Sequence, residues 1–125
     1  MPLTIIAAAT LFVLCPQGHR STCVVDGDTF WLEGEKIRIA DINAPETHGA
    51  RCPSERAKGD AATIRLIALL NAGPFELVAG ARTRDRYGRL LYTVTRRGQS
   101  VGLKLVAEGL AEPWRGKRSD WCGGI

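Results

Sequence analysis

Lys36-Ile37-Arg38-Ile39-Ala40-Asp41-Ile42 runs directly into Asn43-Ala44-Pro45-Glu46, and the change of character at that junction sets the reading of the whole chain. The first seven residues begin by alternating polar with apolar, as a half-buried β-strand does. Asn43-Ala44-Pro45 ends the strand, because proline has no N–H for a ladder and restricts the residue before it. Upstream, Ser21 to Val25 reads as a strand that stops at Asp26-Gly27, Thr29 to Leu32 restarts it, and Glu33-Gly34-Glu35 turns the chain. These segments predict a three-stranded meander. Downstream, Thr47 to Pro53 is a loop, Ser54 a helix cap, and Glu55 to Leu70 a helix with Ala57, Ala61, Ile64 and Ala68 at helical spacing, widened by Ile67 and Leu70. Asn71-Ala72-Gly73-Pro74 stops it. Phe75 to Val78 is a short strand, an arginine-rich loop follows, and Leu90 to Thr95 is the next strand. Val101 to Glu108 is a second helix, with Leu103, Val106 and Ala107 inward and Gly109 as its stop. The tail from Ala111 has no period and reads as irregular. Three strands, helix, two strands, helix is an α+β order, mainly β, and the plan of a five-stranded OB-fold barrel with two helices.

The chain has 125 residues, enough for one core without help from disulfides or metal. Its formal net charge is +4, but the distribution carries more. Residues 82–97 hold Arg82, Arg84, Arg86, Arg89, Arg96 and Arg97 against one acid, Asp85. Such a strip is either a solvated face or the footprint of a polyanion partner. Arginine throughout favours the second, because its planar fork grips phosphate oxygens in pairs. Aromatic residues make up 6% of the chain, too few for a base-stacking platform, which weighs against a purely binding role.

Cys15, Cys23, Cys52 and Cys122 lack CxxC spacing, so they favour two disulfides in an oxidising compartment over zinc. Of the three pairings, Cys15–Cys23 across a tight turn and Cys52–Cys122 tying back the C-terminus are expected; free thiols in a reducing cytosol are the alternative. Residues 3–14, LTIIAAATLFVL, carry no charge and are short for a bilayer span. They resemble the apolar region of a secretory signal, although no Lys or Arg precedes Arg20 and no small-x-small site precedes Cys15. The alternative is a first β-strand. The expected division is 1–20 as signal peptide or apolar segment and 21–125 as the folded domain. Location is then secreted or periplasmic, the state monomeric, and membrane contact requires the apolar segment to be retained.

Three separated motifs carry chemistry: Asp26-Gly27-Asp28-Thr29; Arg38 followed by Asn43-Ala44-Pro45-Glu46; and Asp85-Arg86-Tyr87-Gly88-Arg89. In this order they resemble the thermonuclease family, the staphylococcal-nuclease-like domains, from about Val24 to Leu110. The resemblance implies an OB-fold and calcium-dependent hydrolysis of DNA and/or RNA that leaves 3′-phosphates. It implies that Asp28 ligates calcium, that Asp26 stands behind it, and that Asn43 and the backbone of Ala44 complete the site. Asn43 stands where many family members have aspartate; its carbonyl can still ligate but brings no charge. On their own terms, Asp26 and Asp28 would share one face of a continuing strand, and hard oxygen donors select calcium or magnesium.

Glu46 is the candidate general base. Arg38 and Arg89 are the candidate stabilisers of the charge that builds on the non-bridging oxygens. Either arginine could instead make a structural ion pair. The resemblance implies that Tyr87, with Arg86 adding charge, contacts the terminal phosphate or sugar; a core or turn tyrosine is the alternative. The rival reading is a catalytically inactive OB-fold module that binds nucleic acid.

Overall fold

The computed structural model describes residues 3–6 and 11–123. Among these, the strands are β1 (Leu3–Ile6), β2 (Val13–Leu14), β3 (Cys23–Asp26), β4 (Thr29–Leu32), β5 (Glu35–Ile39), β6 (Ile42–Asn43), β7 (Phe75–Arg84), β8 (Leu90–Arg96), β9 (Gln99–Ser100) and β10 (Glu112–Pro113). The helices are α1 (Pro53–Asn71) and α2 (Val101–Ala107). The chain is mostly β with two helices, and its principal elements follow the expected order.

The expected five-stranded closed barrel is corrected in two respects. More strands form, and the main ladder runs β1-β7-β8-β5-β4-β3-β2 without joining its ends among the described residues. The terminal strand β2 has two residues and adds parallel to β3, which supplies few ladder bonds at that edge. A register shift between Ala79 and Arg84 also carries the far end of β7 away from regular pairing with β8. β7 is longer than predicted, so Arg82 and Arg84 lie on a strand and not in a loop.

The parallel pair β5–β8 matters most for the site. It sets Ile37 opposite Leu90 and Arg38 opposite Leu91, so the start of β8, where Arg89 enters, lies beside Arg38. Between β3 and β4 the chain turns through Gly27-Asp28 alone, with Asp26 paired to Thr29. Asp28 therefore sits in the turn and does not share a continuing strand face with Asp26. Gly27 is required there by proximity: a Cβ on it would come within 2.8 Å of the Cβ atoms of both Ala44 and Ala62.

α1 begins at Pro53 with Cys52 as its cap, not Ser54; Cys52 Sγ accepts from the N–H of Glu55. Proline suits the first helical position because its missing N–H would be unpaired anyway. The buried face also differs from expectation. Gly59, Ala62, Thr63, Leu66, Leu69 and Leu70 turn inward with Glu55, whereas Ala57, Ala61, Ile64 and Ala68 are exposed. Small residues at helical spacing carry little apolar area, so the leucines decide which face packs. In α2, Val101 and Leu105 are buried while Leu103 and Ala107 are exposed. The tail is not wholly irregular, because β10 pairs with β6.

The core gathers Phe12, Phe30 and Phe75 in edge-to-face and tilted contacts, with ring centroids 5.7 to 6.4 Å apart. Phe12 is also tied to α1: its N–H donates to Asn71 Oδ1 at 2.8 Å and its carbonyl accepts from Asn71 Nδ2 at 2.9 Å. Of the apolar run 3–14, Leu3–Ile6 pairs with β7 and Val13–Leu14 with β3; residues 7–10 lie outside the described residues. Disulfides join Cys15 to Cys23 and Cys52 to Cys122, as expected. This pairing fits an oxidising compartment. No helix among the described residues is long and apolar enough to cross a membrane.

Candidate active site

Fifteen residues line an open cleft of about 430 Å³, and the site residues predicted from separate motifs converge on it. Asp28, Arg38, Asn43, Glu46, Arg86, Tyr87 and Arg89 all face this space. Asp26 and Ala44 lie behind it, buried.

Asp28 is held by three groups. Its Oδ2 accepts from the N–H of Ala44 at 2.8 Å, its Oδ1 accepts from the Thr29 hydroxyl at 3.0 Å, and Arg38 Nη2 stands 3.6 Å from Oδ2. Asp26 Oδ1 accepts from the N–H of Asp28. Burial, then the neighbouring Asp28 charge, push the Asp26 carboxyl well above the usual carboxylate range. Asn43 is buried and its Nδ2 has no hydrogen-bond partner among the described residues. Asn43 and Asp28 both line the cleft, and an amide carbonyl with a carboxylate is a donor pair that suits a hard divalent cation.

Arg38 makes the structural ion pair weighed from the sequence and also lines the cleft. Its Nη1 donates to the carbonyls of Ile39 and Ile42, its Nη2 pairs with Asp28, and its guanidinium lies 5.3 Å from the Trp114 ring centre. The buried charge is thus paid for by its own neighbours while one edge faces the cleft. Trp114 reaches this position because β10 pairs with β6 and because its N–H donates to the Asp41 carbonyl.

Arg89 is aimed by the turn before it. Asp85 accepts from the N–H groups of Tyr87 and Arg89 through Oδ1, and from Arg89 Nε through Oδ2 at 2.6 Å. Gly88, at φ 80°, closes the turn. Burial raises the Asp85 pKa, but these Arg89 and Tyr87 hydrogen bonds outweigh it and hold the carboxyl below its ordinary value. Arg86 and Arg89 flank the exposed Tyr87 ring at 5.0 and 5.3 Å. The basic strip divides: Arg82, Arg86 and Arg89 line the cleft, Arg84 binds the Gly88 carbonyl, and Arg96 binds the carbonyls of Gly73 and Pro74.

Glu46 sits on the loop between β6 and α1. Its N–H donates to Glu55 Oε2 at 3.1 Å, and its Oε1 lies 3.3 Å from Arg118 Nη2. Gly59 lets this loop lie on α1: a Cβ there would come within 2.7 Å of the Glu46 carbonyl carbon, and nearer still to its oxygen. Gly59→Ala should gain helix propensity yet lose net stability by about 1–3 kcal/mol through overpacking, with a lower kcat because the Glu46 backbone must move. Thermal melting and turnover of the same preparation check both effects.

Glu55 is fully buried, an unusual place for a carboxylate. Burial raises its pKa, but the N–H groups of Arg51 and Glu46 and the Arg51 and Arg118 guanidiniums outweigh this and hold it below the ordinary 4.5. A folded-state pKa below the unfolded value stabilises the protein above the unfolded pKa, and that contribution disappears as pH falls through the folded one. Glu55→Gln should therefore flatten the acid limb of stability, measured as urea midpoints over about pH 3 to 6.

Sequence reading missed Glu55, Trp114, Lys117 and Arg118. The last three belong to Trp114-Arg115-Gly116-Lys117-Arg118, an aromatic beside three bases that signals an anion-facing segment. Glu55 gave no signal, since its role depends on which helix face is buried.

With this geometry in view, comparison with family models is decisive: residues 36–120 match the staphylococcal nuclease homologue model, and the chain belongs to that family. The match covers β5, the Glu46 loop, the Arg89 turn and the arm bearing Arg118; Asp26 and Asp28 precede it. No curated protein matches the chain significantly. Membership indicates a nuclease-like or nucleic-acid-binding function with a nucleic-acid partner.

Proposed function

We propose that this protein is a calcium-dependent nuclease that hydrolyses phosphodiester bonds of DNA and/or RNA and leaves 3′-phosphates. The observation that carries this reading is the convergence of Arg38, Glu46 and Arg89 on one cleft with Asp28 and Asn43. Glu46 accepts a proton from the water that attacks phosphorus in line. The new P–O bond forms as the bond to the 5′-oxygen breaks, and that oxygen leaves with a proton from solvent. Arg38 and Arg89 donate to the non-bridging oxygens as their charge grows. Asp28, the Asn43 amide and the Ala44 carbonyl would hold calcium, with Asp26 behind them; when bound, the ion supplies charge neutralisation at the phosphate. Arg86 and Tyr87 receive the terminal phosphate or sugar.

In this reading β3, β4, β5, β7 and β8 are the strands of an OB-type domain. We extend that domain upstream of residue 21, supported by Phe12 in the core and by the Cys15–Cys23 bond. Secretion or export to a periplasm is the location that suits two disulfides, and the working unit is a monomer.

A second reading, an inactive nucleic-acid-binding module, has its own support. Asn43 removes a charged ligand, and Glu46, Arg38 and Arg89 each already engage a protein partner. Incubation with single-stranded DNA in calcium and then in chelator separates the two. Cleavage lost on chelation and recovered with calcium is expected; binding without cleavage in both would sink the enzyme reading.

A further inference from the structure

The segment after β10 leaves the sheet and returns to the mouth of the cleft, and both flanks of Arg118 are fastened. Gly116, at φ 84°, turns the chain so that Lys117 and Arg118 line the cleft. On the C-terminal side of Arg118, the Ser119 carbonyl accepts from Arg51 Nη2 at 3.1 Å and the Ser119 hydroxyl donates to Glu112 on β10. Cys122 is bonded to Cys52, the cap of α1. The guanidinium so placed lies 3.3 Å from Glu46 Oε1 and 3.9 Å from Glu55 Oε2, while Glu55 Oε2 also receives the Glu46 N–H. One buried carboxylate thus holds the backbone of Glu46, and one tethered arginine links that carboxylate to the Glu46 side chain. Among the described residues the Glu46 carboxylate makes no hydrogen bond, and its side chain is only half-buried, so it remains open to water.

We propose that Arg118 is a positioning residue for Glu46, and that the Cys52–Cys122 disulfide acts on turnover by fixing the arm that carries Arg118. This rests on the nuclease reading for Glu46. The Arg118 side chain is itself more than half exposed, and an exposed ion pair alone holds a carboxylate weakly. Here the arm is anchored in the backbone on one side by β10 and on the other by a covalent bond. The Arg118 guanidinium therefore meets Glu46 without first losing the freedom of a loose chain end. A carboxylate locked in one rotamer presents its second oxygen to water in a constant direction, which contributes to rate through geometry and not through substrate affinity.

The test uses the full chain with single-stranded DNA and calcium, comparing Arg118→Gln, Arg118→Lys and the paired Cys52→Ser/Cys122→Ser variant. Serine is itself a good helix cap, so the last variant keeps the start of α1. Arg118→Gln should lower kcat about 10-fold or more with little change in KM, the sign of a lost transition-state geometry. Arg118→Lys should recover most of that loss. The double serine variant should lose kcat similarly, and adding Arg118→Gln to it should cost little more, because both changes act through one contact. Unchanged kcat in Arg118→Gln overturns the proposal, as does a loss confined to KM or losses that multiply. Amide hydrogen exchange at Glu46, compared between wild type and Arg118→Gln, gives a second reading. If the wild type does not cleave DNA, the nuclease reading fails, and the tether is judged on exchange alone: faster exchange in the variant supports it and equal exchange overturns it.

Discussion

Glu46→Gln is expected to lower kcat on single-stranded DNA by about 100- to 10,000-fold, the contribution of a positioned general base. The substitution preserves size, and the backbone N–H that donates to Glu55 is untouched. What disappears is the capacity to take a proton, together with the ion pair to Arg118. The fold should therefore persist, and KM should change little, because the lost interaction belongs to the transition state. Steady-state kinetics beside a thermal melt distinguish this from unfolding. A kcat within about threefold of wild type would assign water activation to another group.

Arg38→Ala and Arg89→Ala should each lower kcat by at least about 100-fold, comparable to losing one oxyanion donor, yet they should part company in stability. Arg38 is buried and satisfies the carbonyls of Ile39 and Ile42 as well as the Asp28 carboxylate. Removing it strands a charge and two acceptors, so a cost of about 3–5 kcal/mol is expected. Arg89 lies at the edge of the cleft against the Tyr87 ring and forms its ion pair with Asp85, a carboxylate that keeps two backbone N–H donors when the arginine is gone. Its loss should cost much less. Urea denaturation and turnover on both variants check the pair. Equal destabilisation would mean that the two arginines are equivalent structural clamps.

Much of the fold was legible because strands, turns and helices announce themselves locally. The Asn71-Ala72-Gly73-Pro74 stop after α1 and the Gly109 stop after α2 each act over a few residues, and the structure ends both helices there. On α1, Leu70 is buried and Ile67 packs on the core as expected, but Ala57, Ala61, Ile64 and Ala68 are not inward, because they repeat with helical period on the side that faces water. Gly59 and Glu55 are turned inward by the Glu46 loop, whose position no local pattern states. The Asp26–Asp28 relation was likewise misjudged, since two residues share a face only if the strand continues, and here it turns.

The sequence by itself determined the motifs, their order and the arginine-rich character of the cleft, because those depend on residue type and short spacing. Tertiary structure alone decided that Arg89 enters beside Arg38, that Trp114 lies over the Arg38 guanidinium, and that Arg118 reaches Glu46 from the far end of the chain. Those contacts arise from the parallel β5–β8 pair, the β6–β10 pair and the Cys52–Cys122 bond. Each joins segments distant along the chain, and such pairings are selected by the packing of the whole fold and not by any window of sequence.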